Sequence, residues 1–271
     1  MIIQTPESFF QKKYDAEERV GKYLLALVTF RNGLAFGSKF NERQSKPGQW
    51  LMKINSTSII GGVGDLRDFK SVMLSLDDFC QNISVTLGEH YLTGEGAVSF
   101  TTSLLKKTFE ERANALSVNL LIADWRNDGK AFLWFVDFDG SILQLKNFAV
   151  AGGYEYSRPL SKEELEKLSA QEKAFFDLKR AELEKEGFPA TESSLIPCKT
   201  RRPKKEAIAY LEKNWKPKMK KEEAIDALKK TLFECNPDSR DKTIEIIAIE
   251  YGKCPEFLCF KKNGQKNKTG K

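Results

Sequence analysis

Histidine is almost absent from this sequence, and cysteine is sparse. The 271 residues contain one histidine, His90, and five cysteines, with no CxxC spacing among them. Because a zinc site needs clustered cysteine and histidine ligands, the sequence predicts neither a metal site nor a cofactor. The odd cysteine count is typical of free thiols in a reducing compartment, which predicts a cytoplasmic protein. Cys254 and Cys259 are spaced so that they could pair, but free thiols are favoured.

Long apolar runs are also missing. The longest ones, such as residues 23–30, are too short to cross a membrane, and the N-terminal residues contain no apolar segment of the kind that predicts a signal peptide. Hydrophobic residues make up 41% of the chain and charged residues 30%, which excludes a wholly disordered protein. The length fits one large domain or two ordinary ones.

Positive charge is confined to two stretches. The formal net charge is +6, and residues 199–221 carry ten basic side chains against two acidic ones. Residues 261–271 add five lysines and no acid. This local excess indicates a surface segment and a tail rather than a basic domain face, so it is a weak signal for nucleic-acid binding.

Common nucleotide-binding and catalytic motifs are absent as well. The segment G-G-V-G-D (61–65) lies between a predicted strand and a predicted helix, but it lacks the ending of a P-loop and the GxGxxG spacing. A tight turn that requires small residues is the favoured interpretation. No GxSxG motif occurs and His90 lies in a Gly/Glu-rich loop, which disfavours a Ser-His-Asp triad.

The apolar pattern predicts blocks of strands and blocks of helices, which is typical of α+β layers. Residues 6–21 are predicted to form an amphipathic helix with Thr5 as its N-cap, Pro6 in its first turn and Gly21 at its end. The N-G dipeptide at 32–33 predicts a hairpin turn. The partly apolar face of the helix is assigned to Phe9, Phe10, Lys13, Ala16, Glu17 and Val20.

Further strands and helices follow along the chain. The predicted strands are 23–30, 34–38, 50–54, 58–60, 118–124, 131–137, 142–145, 148–150, 243–249 and 257–260. The predicted helices after the first are 66–83, 99–113, 160–187, 204–215 and 221–233. The helix over 160–187 is rich in charge, and its apolar stripe is thin for a core helix.

The order and spacing of several motifs resemble the proteasome and N-terminal-nucleophile hydrolase family. The motifs are N-G-L-A-F-G-S (32–38), W-L-M-K-I (50–54), G-V-G-D-L-R (62–67), F-D-G-S-I (138–142), A-V-A-G-G (149–153), A-I-A-Y-L-E-K-N-W (207–215) and E-E-A-I-D-A-L-K-K (222–230). The resemblance spans 1–153 and 203–260. It implies an α+β fold, a four-layer α-β-β-α sandwich, and assembly into a seven-membered ring.

The resemblance also implies that the chain has no catalytic residues. Catalytic β-type members of the family expose an N-terminal threonine at the start of the first strand, with an acid after the second strand and a lysine on the third. Those positions hold Tyr23, Lys39 and Lys53, and the family's later serine is Gly152. No Gly-Thr dipeptide for autocleavage occurs. A nucleophile of this kind needs a base and an orienting group beside it. Of the family's catalytic positions, only the lysine is retained in this sequence.

The segment T-P-E (5–7) and the helix after it resemble the start of α-type subunits, in their shorter bacterial form. The resemblance implies a non-catalytic outer ring that gates substrate entry and docks an ATPase or other activator. Residues 1–5 would form the gate, through Ile2, Ile3, Gln4 and Thr5. Lys53 would bind the activator. The implied partners are copies of the chain in a heptamer, a catalytic β-type subunit and an ATPase activator ring, with no membrane and no nucleic acid.

Residues 154–202 interrupt the family pattern. We therefore predict a single domain over 1–260, with 154–202 as an inserted charged helical segment and 261–271 as a basic disordered tail. Two alternatives stay open. The chain could be a divergent hydrolase of the same fold that uses Ser38 or Ser141 as nucleophile, or a scaffold whose basic segment 199–221 binds polyanions.

Overall fold

The computed structural model describes residues 6–21, 24–39, 50–55, 57–88, 92–112, 114–125, 130–153, 156–159, 198–201, 203–235, 243–250, 256–261 and 266–267. The chain divides into two compact units. The first comprises Met1–Tyr154 and Pro203–Lys271, and the second comprises Glu155–Arg202. The predicted gate residues 1–5 lie outside the described residues, as do Tyr23, His90, Cys254 and the helix predicted over 160–187.

The first unit alternates blocks of strands with blocks of helices, as the apolar pattern predicts. Its described helices are α1 Pro6–Gly21, α2 Leu66–Leu87, α3 Gly94–Glu111, α4 Pro203–Asn214 and α5 Lys221–Glu234. Its described strands are β1 Leu24–Phe30, β2 Gly33–Lys39, β3 Leu51–Lys53, β4 Ser58–Gly64, β5 Val118–Trp125, β6 Ala131–Val136, β7 Ile142–Leu145, β8 Phe148–Gly152, β11 Thr243–Glu250, β12 Glu256–Lys261 and β13 Lys266–Asn267.

These strands form two antiparallel sheets. The six-stranded sheet has the order β13-β12-β11-β2-β1-β8, and the five-stranded sheet has the order β3-β4-β5-β6-β7. The predicted hairpin between β1 and β2 forms, but its two turn residues are Arg31 and Asn32, and Gly33 already pairs with Phe30 in the ladder. The edge strand β7 leaves Ile142 and Leu143 about half exposed, at 50% and 56%.

Three hydrophobic cores separate four layers. Leu24, Ala26 and Val28 of β1 face one core shared with α4 and α5, whereas Leu25 and Leu27 face the core between the sheets. A third core lies between the five-stranded sheet and helices α2 and α3. Because both faces of β1 are covered, its sequence reads as a continuous apolar run rather than an alternating one.

The second unit contains a described antiparallel hairpin of β9 Tyr156–Pro159 and β10 Cys198–Arg201, in which Cys198 pairs with Pro159 and Arg201 with Tyr156. Both strands are absent from the sequence-based assignment. Their pairing joins residues about 40 positions apart, which a local hydrophobic pattern does not reveal.

Three of the differences between the structure and the predicted boundaries have a bearing on the packing. Strand β4 continues to Gly64, through glycines that were assigned to a turn. Helix α3 begins at Gly94, because the Oγ1 of Thr93 accepts the Gly96 N–H and caps the helix. In the tail predicted to be disordered, Lys266 and Asn267 pair with β12.

Candidate functional site

Four chain segments meet at one end of the sandwich, which we call the β1 end. They are the first residues of β1, the last residues of β2 and β8, and the start of α4. Leu24 pairs with Gly152, and Leu25 pairs with Ser38. Gly153 has a φ of +63°, and a Cβ placed there would lie 2.7 Å from Leu24 Cδ1. The Gly-Gly turn therefore allows α4 to start directly beside β1.

Two described residues at the β1 end, Lys39 and Ser38, belong to the positions considered for catalysis. Lys39 is the last residue of β2 and pairs with Ile244, so a basic residue stands at this position. Ser38 is 4% exposed, and its Oγ has no hydrogen-bond partner among the described residues. The residue opposite it on β11 is Glu245, which is also buried. A hydroxyl enclosed in this way is inaccessible to a peptide substrate.

Ser141, the other serine considered as a nucleophile, serves a turn. Its backbone N–H donates to Asp139 Oδ1 at 2.8 Å, and its carbonyl accepts the Asp137 N–H at 2.8 Å. These bonds close the β6–β7 hairpin, so the conformation of Ser141 has a structural cause.

Lys53 is the last residue of the edge strand β3. At the level of Leu25, strand β3 presents Leu51, because a Cβ at Gly61 would lie 2.7 Å from Leu51 Cδ2 and 3.2 Å from Leu25 Cδ2. Lys53 pairs with Ile59 and lies two residues further along the strand, a distance of about 6–7 Å. Leu51, rather than Lys53, is therefore the β3 residue that the structure shows at the level of Leu25. Its side chain is exposed on an edge strand.

The turn after Lys53 is held by a dense network of hydrogen bonds. Asn55 Oδ1 accepts the backbone N–H groups of Thr57 and Ser58 at 2.8 and 2.6 Å, and Asn55 Nδ2 donates to Leu92 O at 2.6 Å. The side chain thus links the β3–β4 turn to the segment before α3. Sequence analysis identified the turn but not this link, because Leu92 is 37 residues away.

Asp124 extends the same network into the core. Its carboxylate is 4% exposed and accepts the hydroxyls of Ser58 at 2.7 Å and Thr57 at 3.2 Å. A Cβ at Gly94 would lie 2.5 Å from Asp124 Cβ, so this carboxylate sits against the start of α3, where the helix dipole favours negative charge. The backbone that carries Lys53 is therefore firmly positioned.

Helix α1 packs across the sandwich. Val20 is fully buried in the core between the sheets, in the cluster that includes Leu25 and Val63. Ala16 packs in a small cluster with Phe109 and Phe138. The predicted helix over 6–21 is confirmed, and its C-terminal part covers the sandwich near the start of β1.

Lys12 fixes the other half of α1. Its Nζ donates to the carbonyls of Phe109 and Arg112, and it also lies 4.5 Å from the centre of the Phe109 ring. It therefore satisfies carbonyls at the C-terminal end of α3, where a cation is favourable. Burial lowers the pKa of Lys12. The apolar face was assigned to Lys13, which is exposed; Lys12 is the buried lysine.

The glycine-rich segment 61–65 is explained by packing. Gly64 has a φ of +135°, and a Cβ there would lie 2.0 Å from Ser117 O. Asp65 then caps α2, since its Oδ1 accepts the Arg67 N–H at 2.8 Å and the Asp68 N–H at 3.4 Å. The close approach of the two backbones requires glycine at position 64, and Asp65 serves as the N-cap of α2.

The chain leaves and re-enters the first unit at adjacent points. The Lys204 N–H donates to Gly153 O at 2.9 Å. The Lys204 ammonium lies 4.4 Å from the centre of the Phe135 ring, and burial lowers its pKa while raising the pKa of Asp137 nearby. The residues that flank the segment 154–202 are thus joined by a backbone hydrogen bond.

The cysteines, a metal site and a membrane-spanning helix are the remaining features to consider. Cys80, Cys235 and Cys259 are buried, and burial raises the pKa of the Cys80 thiol, which makes it less reactive. Among the described residues, no cluster of three or more metal-binding side chains occurs. None of the helices in these ranges is both long and apolar enough to span a membrane.

Comparison with known proteins gives one match. The family model described as Proteasome subunit matches residues 33–181, more than half of the chain. The match runs from β2 through β9 and ends inside the second unit. No curated protein matches the sequence.

Proposed function

Because this chain belongs to the proteasome subunit family, whose members assemble in the rings of a protease complex, we propose that it is a non-catalytic α-type subunit. In this role it forms an outer ring with copies of itself, as a heptamer, and stacks on a ring of catalytic β-type subunits. It gates substrate entry and docks an ATPase or other activator.

Helix α1 carries the proposal. In catalytic relatives the first strand starts with an exposed nucleophile, whereas here Val20 is fully buried in the core between the sheets. Lys12, near the middle of α1, binds the helix to the C-terminal end of α3. A helix packed through Lys12, Ala16 and Val20 is an integral part of the fold, so cleavage at the start of β1 would remove an element that packs on the sandwich.

The pattern of charge supports the same role. A basic residue, Lys39, ends β2 where catalysis requires an acid. On β3, Leu51 is the residue at the level of Leu25, and Lys53 lies two residues further along the strand.

Lys53 has a second use under this proposal. It receives the C-terminal carboxylate of an activator tail between neighbouring α subunits, as a flexible point charge. Its exposure on an edge strand of the isolated chain leaves it available for such a contact. The Asn55 turn holds the backbone beside it.

Residues 1–5 are proposed as the gate. They precede α1 directly, and the family resemblance places the gating peptide of α-type subunits at this position. Deleting residues 2–5 should speed the entry of peptides into the assembled complex. An unchanged rate of peptide hydrolysis would argue against gating.

Mass spectrometry and a peptidase assay test the non-catalytic role. The purified chain should keep its full length, hydrolyse no peptide alone, and support hydrolysis only with a catalytic β-type subunit. A new N-terminal threonine or serine at the start of a strand would contradict the proposal. Ser38→Ala tests the alternative of a divergent hydrolase that uses Ser38 as its nucleophile. If that alternative holds, the unaltered chain alone is active and the variant loses this activity.

A further inference from the structure

The loop between α4 and α5 concentrates positive charge on one exposed surface. We call residues 216–220 the lysine loop. Lys216, Lys218 and Lys220 are all exposed, and Arg31 of the β1–β2 turn lies next to them, since its backbone N–H donates to Met219 O at 3.0 Å. The four cations have no ion pair within the described part of the chain.

The lysine loop is rigidly held despite its exposure. Met219 is 5% exposed and belongs to the core beneath α4 and α5. Trp215 Nε1 donates to Thr29 O at 3.1 Å, and the Met219 N–H donates to Lys216 O at 3.2 Å. Because the backbone is already ordered, binding through this loop costs less conformational entropy than binding through a mobile tail.

Two of the lysines stand where lysine is unfavourable. Lys218 has a φ of +63°, the left-handed conformation that suits glycine or asparagine. Lys220 is the N-cap of α5 and makes no side-chain cap hydrogen bond. Its positive charge also lies at the positive end of the helix dipole. Residues that are unfavourable for the local backbone in this way are retained mainly where they serve a function.

The surrounding acids limit the size of the basic surface. Lys221 is paired with Glu250 and Glu256, at 3.3 and 2.7 Å. Glu212, Glu222 and Glu223 are exposed and flank the loop, and Glu223 also accepts the Lys220 N–H at 2.6 Å. The result is a short basic patch bordered by negative charge.

We propose that the lysine loop and Arg31 dock an acidic peptide segment of a partner protein. A short run of aspartates or glutamates complements the exposed ammonium groups. A nucleic acid fits less well, because its continuous phosphate backbone would meet the flanking glutamates. Trp215, the aromatic residue at the loop, is half-buried and bonded to Thr29, so it is not presented for stacking on bases.

The test measures binding of a fluorescent peptide, in which a short run of glutamates is flanked by uncharged residues, by the purified full chain at low salt. A variant carrying Lys216→Gln, Lys218→Gly and Lys220→Gln should bind about tenfold more weakly, since each exposed charge contact contributes little alone. A matched control carries Lys70→Gln, Lys106→Gln and Lys107→Gln, which removes three exposed lysines from α2 and α3. The control should bind within about twofold of the original chain.

Folding is monitored separately by thermal melting. Lys218→Gly alone should raise the melting temperature while weakening peptide binding, so weaker binding would not be explained by unfolding. Three results would overturn the proposal. They are equal weakening in both triple variants, no binding by the unaltered chain at low salt, and tighter binding of duplex DNA than of the acidic peptide.

Discussion

Lys53 combines an exposed side chain with a fixed backbone, and this makes it a suitable target for mutation. Under the proposed function, Lys53→Ala should leave ring assembly intact and abolish docking of an activator tail. The loss expected for removing one partner of a buried charge pair is about 2–5 kcal/mol. The measurement is titration of assembled rings with a tail peptide that ends in a free carboxylate.

The matched control for Lys53 is Lys70→Ala, which removes an exposed lysine from α2. It should not alter tail binding. If rings of the Lys53→Ala variant bind the tail peptide with unchanged affinity, Lys53 is not the docking residue.

Lys12 provides a second test at the scale of single residues. Lys12→Met keeps an apolar stem but removes the donor to the carbonyls of Phe109 and Arg112. Leaving these carbonyls without their partner should lower the free energy of unfolding by about 2 kcal/mol. Chemical denaturation measures this change. Lys13→Met is the control, since Lys13 is exposed, and an equal loss in both variants would contradict the assignment.

Among the structural elements, the β3–β4 turn depends on partners that are distant in sequence. Asn55→Ala removes bonds to two backbone N–H groups and to Leu92 O. We expect a destabilisation of about 2 kcal/mol and, since Lys53 lies two residues away, weaker binding of the activator tail. Asn82→Ala, on the exposed side of α2, should change neither quantity. A stable variant with unaltered tail affinity would show that the turn does not position Lys53.

Local signals predicted many elements well. The β1–β2 hairpin, the end of α1 at Gly21 and the α2 periodicity all depend on neighbours within a few residues, and the structure contains each of them. The β9–β10 pair could not be predicted in this way, because sequence-distant partners define it. The same reason explains why Lys12 was missed: its acceptors lie about 100 residues away.

The site was less predictable than the fold. The sequence identified Lys53 and the absence of an acid after β2. The family match supports the comparison with proteasome subunits, from which the proposed roles of these positions come. It did not reveal that Lys53 lies beyond the level of Leu25, since strand register comes from pairing across β3 and β4. The gate at residues 1–5 and the inserted nature of 154–202 stay predictions.

For the molecule as a whole, the sharpest prediction concerns the segment 154–202. The residues that flank it are adjacent, because the Lys204 N–H bonds Gly153 O at 2.9 Å. Replacing the segment by a short Gly-Ser linker should therefore leave a cooperatively folding sandwich, as closing a short loop costs little entropy. Calorimetry and circular dichroism measure this outcome. Aggregation or loss of cooperative melting would show that the segment belongs to the core.

The open edge at β7 has a consequence for the life of the subunit in the cell. Ile142 and Leu143 are about half exposed on a strand whose outer side has no described pairing partner. The unpaired backbone groups of such an edge can form hydrogen bonds with strands of other chains. Unassembled subunits in excess are therefore prone to aggregate unless chaperones bind them or proteases degrade them. Balanced synthesis of this subunit with its ring partners avoids this excess.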